Sequence, residues 1–225
     1  MTQAGLVALL GHPVSGSLSP RMQNAAFAAC GLDWSYVALD VEPDGFEATV
    51  RDLPAAGFVG ANVTTPHKRA AAGLTESDLE SVNTLLFEEG RIVGHSTDAE
   101  ILAGLPAERP AIIGDGGAAD AFRAALPGAR VFARRGDWPP EVADADLVVN
   151  ATSERDEVLV ELAAGQTLVD LPYPETATAR AAAEAGARVV SGLEVLVAQG
   201  AASFELWTGV SAPVEVMRRA VGLPS

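Results

Sequence analysis

A chain of 225 residues, 48% hydrophobic and 20% charged, has the balance of a folded globular protein, with room for one large domain or two small ones. Its formal charge of -15 excludes the basic footprint by which proteins displace counterions from nucleic acid, and Cys30, the only cysteine, excludes an internal disulfide and cysteine-built metal sites. No apolar run approaches the roughly 20 residues that span a bilayer, and Met1-Thr2-Gln3-Ala4-Gly5 lacks the basic stretch of a secretory leader, so a cytoplasmic protein with no membrane or nucleic-acid partner is expected.

In chain order, short apolar runs alternate with helix-like stretches, the pattern of an α/β fold with parallel sheets. Strands are predicted at Leu6 to Leu10, Tyr36 to Val41, Phe58 to Asn62, Ala111 to Gly114, Arg130 to Phe132, Leu147 to Asn150, Thr167 to Asp170 and Arg188 to Val190. Ser19 as cap and Pro20 at the first helical position open a helix that runs through Met22 to Cys30 and stops at Gly31; Cys30 is read as a buried structural thiol. Val82 to Phe87 and Arg91 to Val93 flank Glu88-Glu89-Gly90 and read as an edge hairpin. A helix from Asp98 to Leu105 separates the two series of strands, and Leu193 to Leu206 and Ala212 to Val221 read as two closing helices. Two lobes follow: residues 1–97 with 207–225, and residues 98–206, the last helices returning to the first lobe.

Ala111-Ile112-Ile113-Gly114-Asp115-Gly116-Gly117-Ala118-Ala119 is a strand that runs into a glycine turn and a helix start. Such a turn lets the backbone approach a pyrophosphate, whose charge meets free amides at the helix end; an ordinary tight strand-to-helix turn would read the same. Where an NAD enzyme would place an acid about twenty residues on, Ala133-Arg134-Arg135 ends the next strand. Arginine forks suit a 2′-phosphate, which favours NADP, though solvated surface charges would also satisfy the pattern. Asp115 inside the turn would repel a pyrophosphate unless its side chain points away.

Nearly the whole chain resembles shikimate dehydrogenase. Gly11-His12-Pro13-Val14-Ser15-Gly16-Ser17-Leu18-Ser19-Pro20 is similar to that family's carboxylate-binding loop, which implies that role for Ser17 and Ser19. Gly60-Ala61-Asn62-Val63-Thr64-Thr65-Pro66-His67-Lys68 resembles the block that ends in its catalytic lysine, Ser81-Val82-Asn83-Thr84-Leu85 its substrate-binding asparagine motif, and Gly94-His95-Ser96-Thr97-Asp98 the segment with its catalytic aspartate. Further on, Val149-Asn150-Ala151-Thr152-Ser153, Asp170-Leu171-Pro172-Tyr173 and Gly192-Leu193 through Gln199-Gly200-Ala201 resemble its nicotinamide-side strand end, its tyrosine segment and its closing helix with a substrate-binding glutamine. The departures are Gly16 and Gln23 where histidines are usual, Ser96 and Ala133 where asparagines are usual, and a short nucleotide lobe in which residues 137–146 leave room for one helical turn or two.

The resemblance implies NADP-dependent reduction of 3-dehydroshikimate to shikimate. Lys68 and Asp98 are its implied catalytic pair, and Ser17, Ser19, Asn62, Thr64, Asn83, Tyr173 and Gln199 its substrate contacts. Gly114, Gly116, Gly117, Ala118, Arg134, Arg135, Asn150, Thr152 and Gly192 are implied to hold the cofactor. An ammonium can both stabilise and protonate a developing alkoxide, and neutral amides and hydroxyls suit a hydroxylated ring. By themselves, a lysine after Pro66-His67 reads equally as a solvated charge, Asp98 as a helix cap. Quinate or an amino analogue as substrate, or a nucleotide-binding sensor that has lost catalysis, are the alternatives. His12, His67 and His95 are dispersed, so no metal is expected; Phe204 and Trp207 are expected in the core, and the assembly is expected to be a monomer or homodimer.

Overall fold

The computed structural model describes residues 4–224, which divide into two compact units: residues 4–98 with 196–224, and residues 99–195. The return to the first unit falls at Leu196 and not at the expected 207, inside the helix Gly192–Thr208. Beyond Leu196 that helix contributes Phe204, wholly buried and stacked on Phe27 at 5.4 Å between ring centres.

The first unit carries a five-stranded sheet built from β1 (Gly5–Gly11), β2 (Trp34–Asp40), β3 (Phe58–Val63), β4 (Thr84–Glu88) and β5 (Arg91–His95), in the order β2-β1-β3-β4-β5. The first three strands are parallel; β4 runs antiparallel to β3, and β5 to β4. The interior strand β1 is apolar throughout and almost wholly buried, as a strand covered on both faces must be. Helix α1 (Ser19–Ala29) buries Ser19, Met22, Gln23, Ala26 and Phe27, the three-and-four spacing of one helical face. The opposite face of the sheet is filled by Phe46, Val50 and Leu53 of and beside α2 (Phe46–Asp52), and by Ala71 and Ala72 of α3 (Lys68–Ala72).

The second unit is an all-parallel sheet of β6 (Pro110–Ile113), β7 (Arg130–Phe132), β8 (Leu147–Asn150), β9 (Thr167–Asp170) and β10 (Arg188–Val190), in the order β10-β9-β8-β6-β7. On one face Phe122 of α4 (Gly117–Ala125) packs with Ile112, Val149 and Val169. The other is covered by Ala179 and Ala182 of α5 (Ala177–Glu184), with Val142, Ala145, Leu159, Val160 and Leu162 from irregular chain. The connection 137–146, with room for one helical turn or two, contains no helix, and its buried side chains Val142 and Ala145 join the same cluster.

The helix expected over 98–105 is also corrected, to a single 3-10 turn at Glu100–Leu102. Asp98 is engaged elsewhere and cannot cap it, while Gly104 takes a positive φ of 82°. Ile101, Leu102 and Leu105 lie against the core of the second unit. Cys30 caps the end of α1 and is partly exposed, not buried. The long helix α6 (Gly192–Thr208) is followed by α7 (Val214–Val221), which packs on α1 and ends at Gly222 in the left-handed region.

Candidate active site

In both sheets the strand order reverses between the first and third strands in chain order, and ligands of open α/β sheets gather beyond the carboxyl ends of the strands at such a point. In the first unit, that edge carries the loops after β1 and β3, the start of β4 and the exit of β5. The two loops are stitched together by the His12 amide donating to the Thr65 carbonyl at 3.0 Å and the Thr64 amide to that of Leu10 at 2.8 Å.

Lys68 begins α3, where the backbone holds it from both sides: the Val82 amide donates to its carbonyl at 3.0 Å, and buried His67 precedes it. The His67 ring stacks on Phe46 at 4.4 Å and its Nε2 donates to the Val41 carbonyl at 2.7 Å, so this histidine anchors the loop. Lys68 Nζ donates to Asp98 Oδ2 at 2.5 Å, and each of the two side chains is 11% exposed. The pair expected from sequence positions 30 apart is thus formed, in a setting that shields it from bulk water on most sides.

Asn83 fixes the carboxylate. Its Nδ2 donates to Asp98 Oδ1 and to Thr97 Oγ1, both at 2.9 Å, and its Oδ1 accepts the Thr97 amide at 2.8 Å. The backbone amide at the oxygen end and the carboxylate at the nitrogen end allow only one orientation of the side-chain amide. Asp98 is left with one oxygen for Asn83 and one for Lys68.

Asn62 lies deeper, 5% exposed. Its Nδ2 donates to the Asn83 carbonyl at 3.0 Å, Thr84 Oγ1 at 3.1 Å and Ser203 Oγ at 3.0 Å, while the Tyr36 hydroxyl donates to its Oδ1 at 2.9 Å. All its polar atoms are engaged within the protein, so Asn62 supports Asn83 from behind. Buried polar side chains left without such partners would cost about 1–3 kcal/mol each. Ser203 and Thr84 of this network escaped the sequence reading. Only the four-residue spacing of Gln199 and Ser203 along α6 hinted that they share a face, and the Ser203 hydroxyl donates to the Gln199 carbonyl at 2.9 Å.

Of the remaining expected contacts in this unit, Ser17 Oγ accepts the Ser19 amide at 3.2 Å. Ser19 is the first residue of α1 and not its cap; Leu18 holds that place, with no side-chain cap. Thr64 is half-buried. Gln199 Nε2 donates to the Leu196 carbonyl of its own helix at 2.9 Å. Phe204 is in the core as expected, whereas Trp207 is only partly buried, its indole donating to the Leu85 carbonyl at 3.0 Å.

The loop that carries Ser17 has a second anchor that the sequence reading missed. His12 Nδ1 hydrogen-bonds Asp40 Oδ1 at 2.5 Å, and Asp40 Oδ2 accepts the Val14 amide at 3.2 Å. The Asp40 hydrogen bond, helped by the charge of Glu42, raises the His12 pKa above its ordinary 6.5, and the Asp40 pKa is lowered in return. The sign follows: a raised histidine contributes its anchoring in full below its ordinary value and loses it as pH rises through the higher folded-state value. Over that window the KM for a carboxylate bound by this loop is expected to rise, on the order of twofold for so exposed a pair. NMR titration of His12 in the wild type and in Asp40→Asn provides the check, and equal ring pKa values in the two would sink the idea.

In the second unit Gly114 takes φ 125°, and a Cβ there would lie 3.0 Å from the Ala151 carbonyl oxygen. Glycine is therefore needed where the exits of β6 and β8 meet. Gly116 caps α4, and a Cβ there would meet nothing within 4 Å, while Gly117 and Ala118 are half-buried and Asp115 is exposed. This is a fitting seat for a dinucleotide's pyrophosphate. Asn150 is buried: its Nδ2 donates to Asp170 Oδ1 at 2.7 Å and its Oδ1 accepts Thr152 Oγ1 at 2.8 Å and the Thr152 amide at 3.2 Å. Burial raises the Asp170 pKa, against hydrogen bonds from Asn150 and Thr176 that lower it. Gly192 opens α6 against the carbonyls of Leu171 and Pro172, where a side chain would collide. Tyr173, expected to contact substrate, belongs to this unit and is half-buried, its carbonyl accepting Arg155 Nη1 at 3.5 Å. Arg134 and Arg135 are exposed at the end of β7. Among the described residues no cluster of metal-binding side chains occurs, and no helix is long and apolar enough to cross a membrane.

With this geometry in hand, the chain can be compared with known proteins. The family profile described as shikimate dehydrogenase substrate binding domain matches residues 9–85, and that described as shikimate 5'-dehydrogenase C-terminal domain matches residues 192–221. The chain is 40% identical to the NADP(+) shikimate dehydrogenase of Anaeromyxobacter sp. (strain Fw109-5), covering 99% of this chain and 97% of the relative. It is 39% identical to that of Methanopyrus kandleri, covering 97% and 95%. Among solved structures, shikimate 5-dehydrogenase of Thermus thermophilus in complex with NADP(H) and shikimate is 32% identical, with a TM-score of 0.84 over 96% of this chain and 98% of that one.

Proposed function

Because the chain belongs to the shikimate dehydrogenase family, we propose that it catalyses the NADP-dependent, reversible reduction of 3-dehydroshikimate to shikimate with Lys68 and Asp98 as its acid-base pair. The observation that carries this reading is the shielded Lys68–Asp98 contact at 2.5 Å, held in one geometry by Asn83.

When bound, the cofactor supplies a hydride to the carbonyl carbon of the substrate. Lys68 does the complementary work: its ammonium donates to the ketone oxygen, stabilises the negative charge that grows there and passes a proton to it, to be reprotonated from solvent. Asp98 keeps the ammonium from swinging among rotamers, so the donor is in place before charge develops. Ser17 and Ser19, at the start of α1 where a helix end favours an anion, hold the carboxylate. Thr64 and Gln199 match the ring hydroxyls, with Asn83 holding Asp98 and Asn62 fixing Asn83. In the second unit the Gly114–Ala118 turn would hold the pyrophosphate, Arg134 and Arg135 a 2′-phosphate, and Asn150, Thr152 and Gly192 the nicotinamide side.

Shikimate and quinate oxidation assayed side by side with NADP and NAD tests the reading. Shikimate with NADP is expected to give the highest kcat/KM; no turnover of shikimate with either dinucleotide would refute it.

A further inference from the structure

Arg134 forms an ion pair with Glu157, Nη2 to Oε2, while its guanidinium carbon lies 5.3 Å above the centre of the Trp138 ring. The backbone that carries this carboxylate is a built turn. Glu154 Oε1 accepts the backbone amides of Arg155, Asp156 and Glu157 at 2.9, 2.9 and 3.3 Å, and the Glu154 amide donates in turn to Thr152 Oγ1 at 3.2 Å. Thr152 is tied to Asn150 and through it to buried Asp170. A chain of hydrogen bonds therefore runs from the floor of the sheet to the residue that faces Arg134. Those amides, with the charge of Arg134 helping, also hold the Glu154 carboxyl below the usual range, so a second anion stands close by.

We propose that Glu157 is a specificity-determining residue that competes with the 2′-phosphate for Arg134 and so narrows the preference for NADP over NAD. This rests on the functional reading given above. A guanidinium binds one dianionic phosphate or one carboxylate at a given edge, and a phosphate of charge about -1.5 to -2 brought to Arg134 must displace Glu157 and then remain near two carboxylates. A cofactor that ends in a ribose hydroxyl meets no such competitor.

The test is binding without turnover, on the full-length protein. Fluorescence titration gives Kd for NADPH and NADH, and calorimetry with adenosine 2′,5′-bisphosphate isolates the phosphate contact. Glu157→Gln is expected to tighten NADPH and the bisphosphate about threefold to fivefold at low salt, the upper range for an exposed ion pair, with NADH unchanged and the gain shrinking as salt is raised. Glu161→Gln, which removes the same charge from the same segment, is expected to leave the NADPH to NADH ratio as it is. Weaker NADPH binding in Glu157→Gln, or an equal shift for both dinucleotides, would overturn this inference alone. Failure of the wild type to bind either dinucleotide would overturn it together with the functional reading.

Discussion

Lys68→Met is expected to lower kcat for shikimate oxidation by about 10²–10⁴-fold, the range for loss of a positioned acid or base, while the Kd for NADPH stays within about twofold. Methionine keeps the length and packing of the lysine stem, and α3 is held by backbone bonds from Val82 and by buried His67, so the fold around position 68 survives. Asp98 loses its ammonium partner but stays bonded to Asn83 and retains some access to water. What disappears is the charge aimed at the substrate oxygen. Steady-state kinetics with saturating NADP measures this, and a kcat within about threefold of the wild type would show that the proton and the stabilising charge come from elsewhere.

The second large effect is on stability. Asp98→Ala removes the acceptor for both Lys68 and Asn83, leaving an ammonium on a side chain only 11% exposed and one amide hydrogen of Asn83 with nothing to bond. Breaking a buried pair by deleting one partner costs about 3–5 kcal/mol; with Lys68 slightly exposed, a loss near the lower end is expected, read as a fall in urea midpoint. The double variant Lys68→Met/Asp98→Ala removes the stranded charge and is expected to recover part of that loss. Should Asp98→Ala unfold at the wild-type midpoint, the pair would have no structural weight and Asp98 would act on catalysis alone. Asp98→Asn separates the two roles. Its single amide can offer an oxygen to Asn83 or to Lys68 but not to both, so it disorders the ammonium at a smaller stability cost and lowers kcat/KM on the order of 10²-fold.

The strands, their order of appearance and the turn chemistry at Gly114 are legible in the residues because they are local. A run such as Leu6 to Leu10 is apolar because both faces of a parallel strand are covered, and a glycine is required wherever φ turns positive. Lys68 and Asp98 were legible through the motifs in which they stand, and the structure brings them together. The sequence could not tell what the polar side chains do with one another, since that depends on register between strands far apart in the chain. Asn62 faces inward because β3 lies beside β4 with Asn62 opposite Thr84, a pairing that no local pattern specifies. Ser203 joins the same network from 141 residues away. Arg134, expected from its type to suit a phosphate, meets Glu157 23 positions further along the chain, beyond β8. The missing helix at 98–105 has the same cause: a helical pattern over eight residues is a weak preference of a few tenths of a kcal/mol per residue, and the bonds that Asp98 accepts from Lys68 and Asn83 take its side chain away from a cap. Composition and periodicity determined which elements exist, whereas tertiary register decided which buried donors meet which acceptors, because hydrogen bonds and ion pairs reward position in space and are blind to separation along the chain.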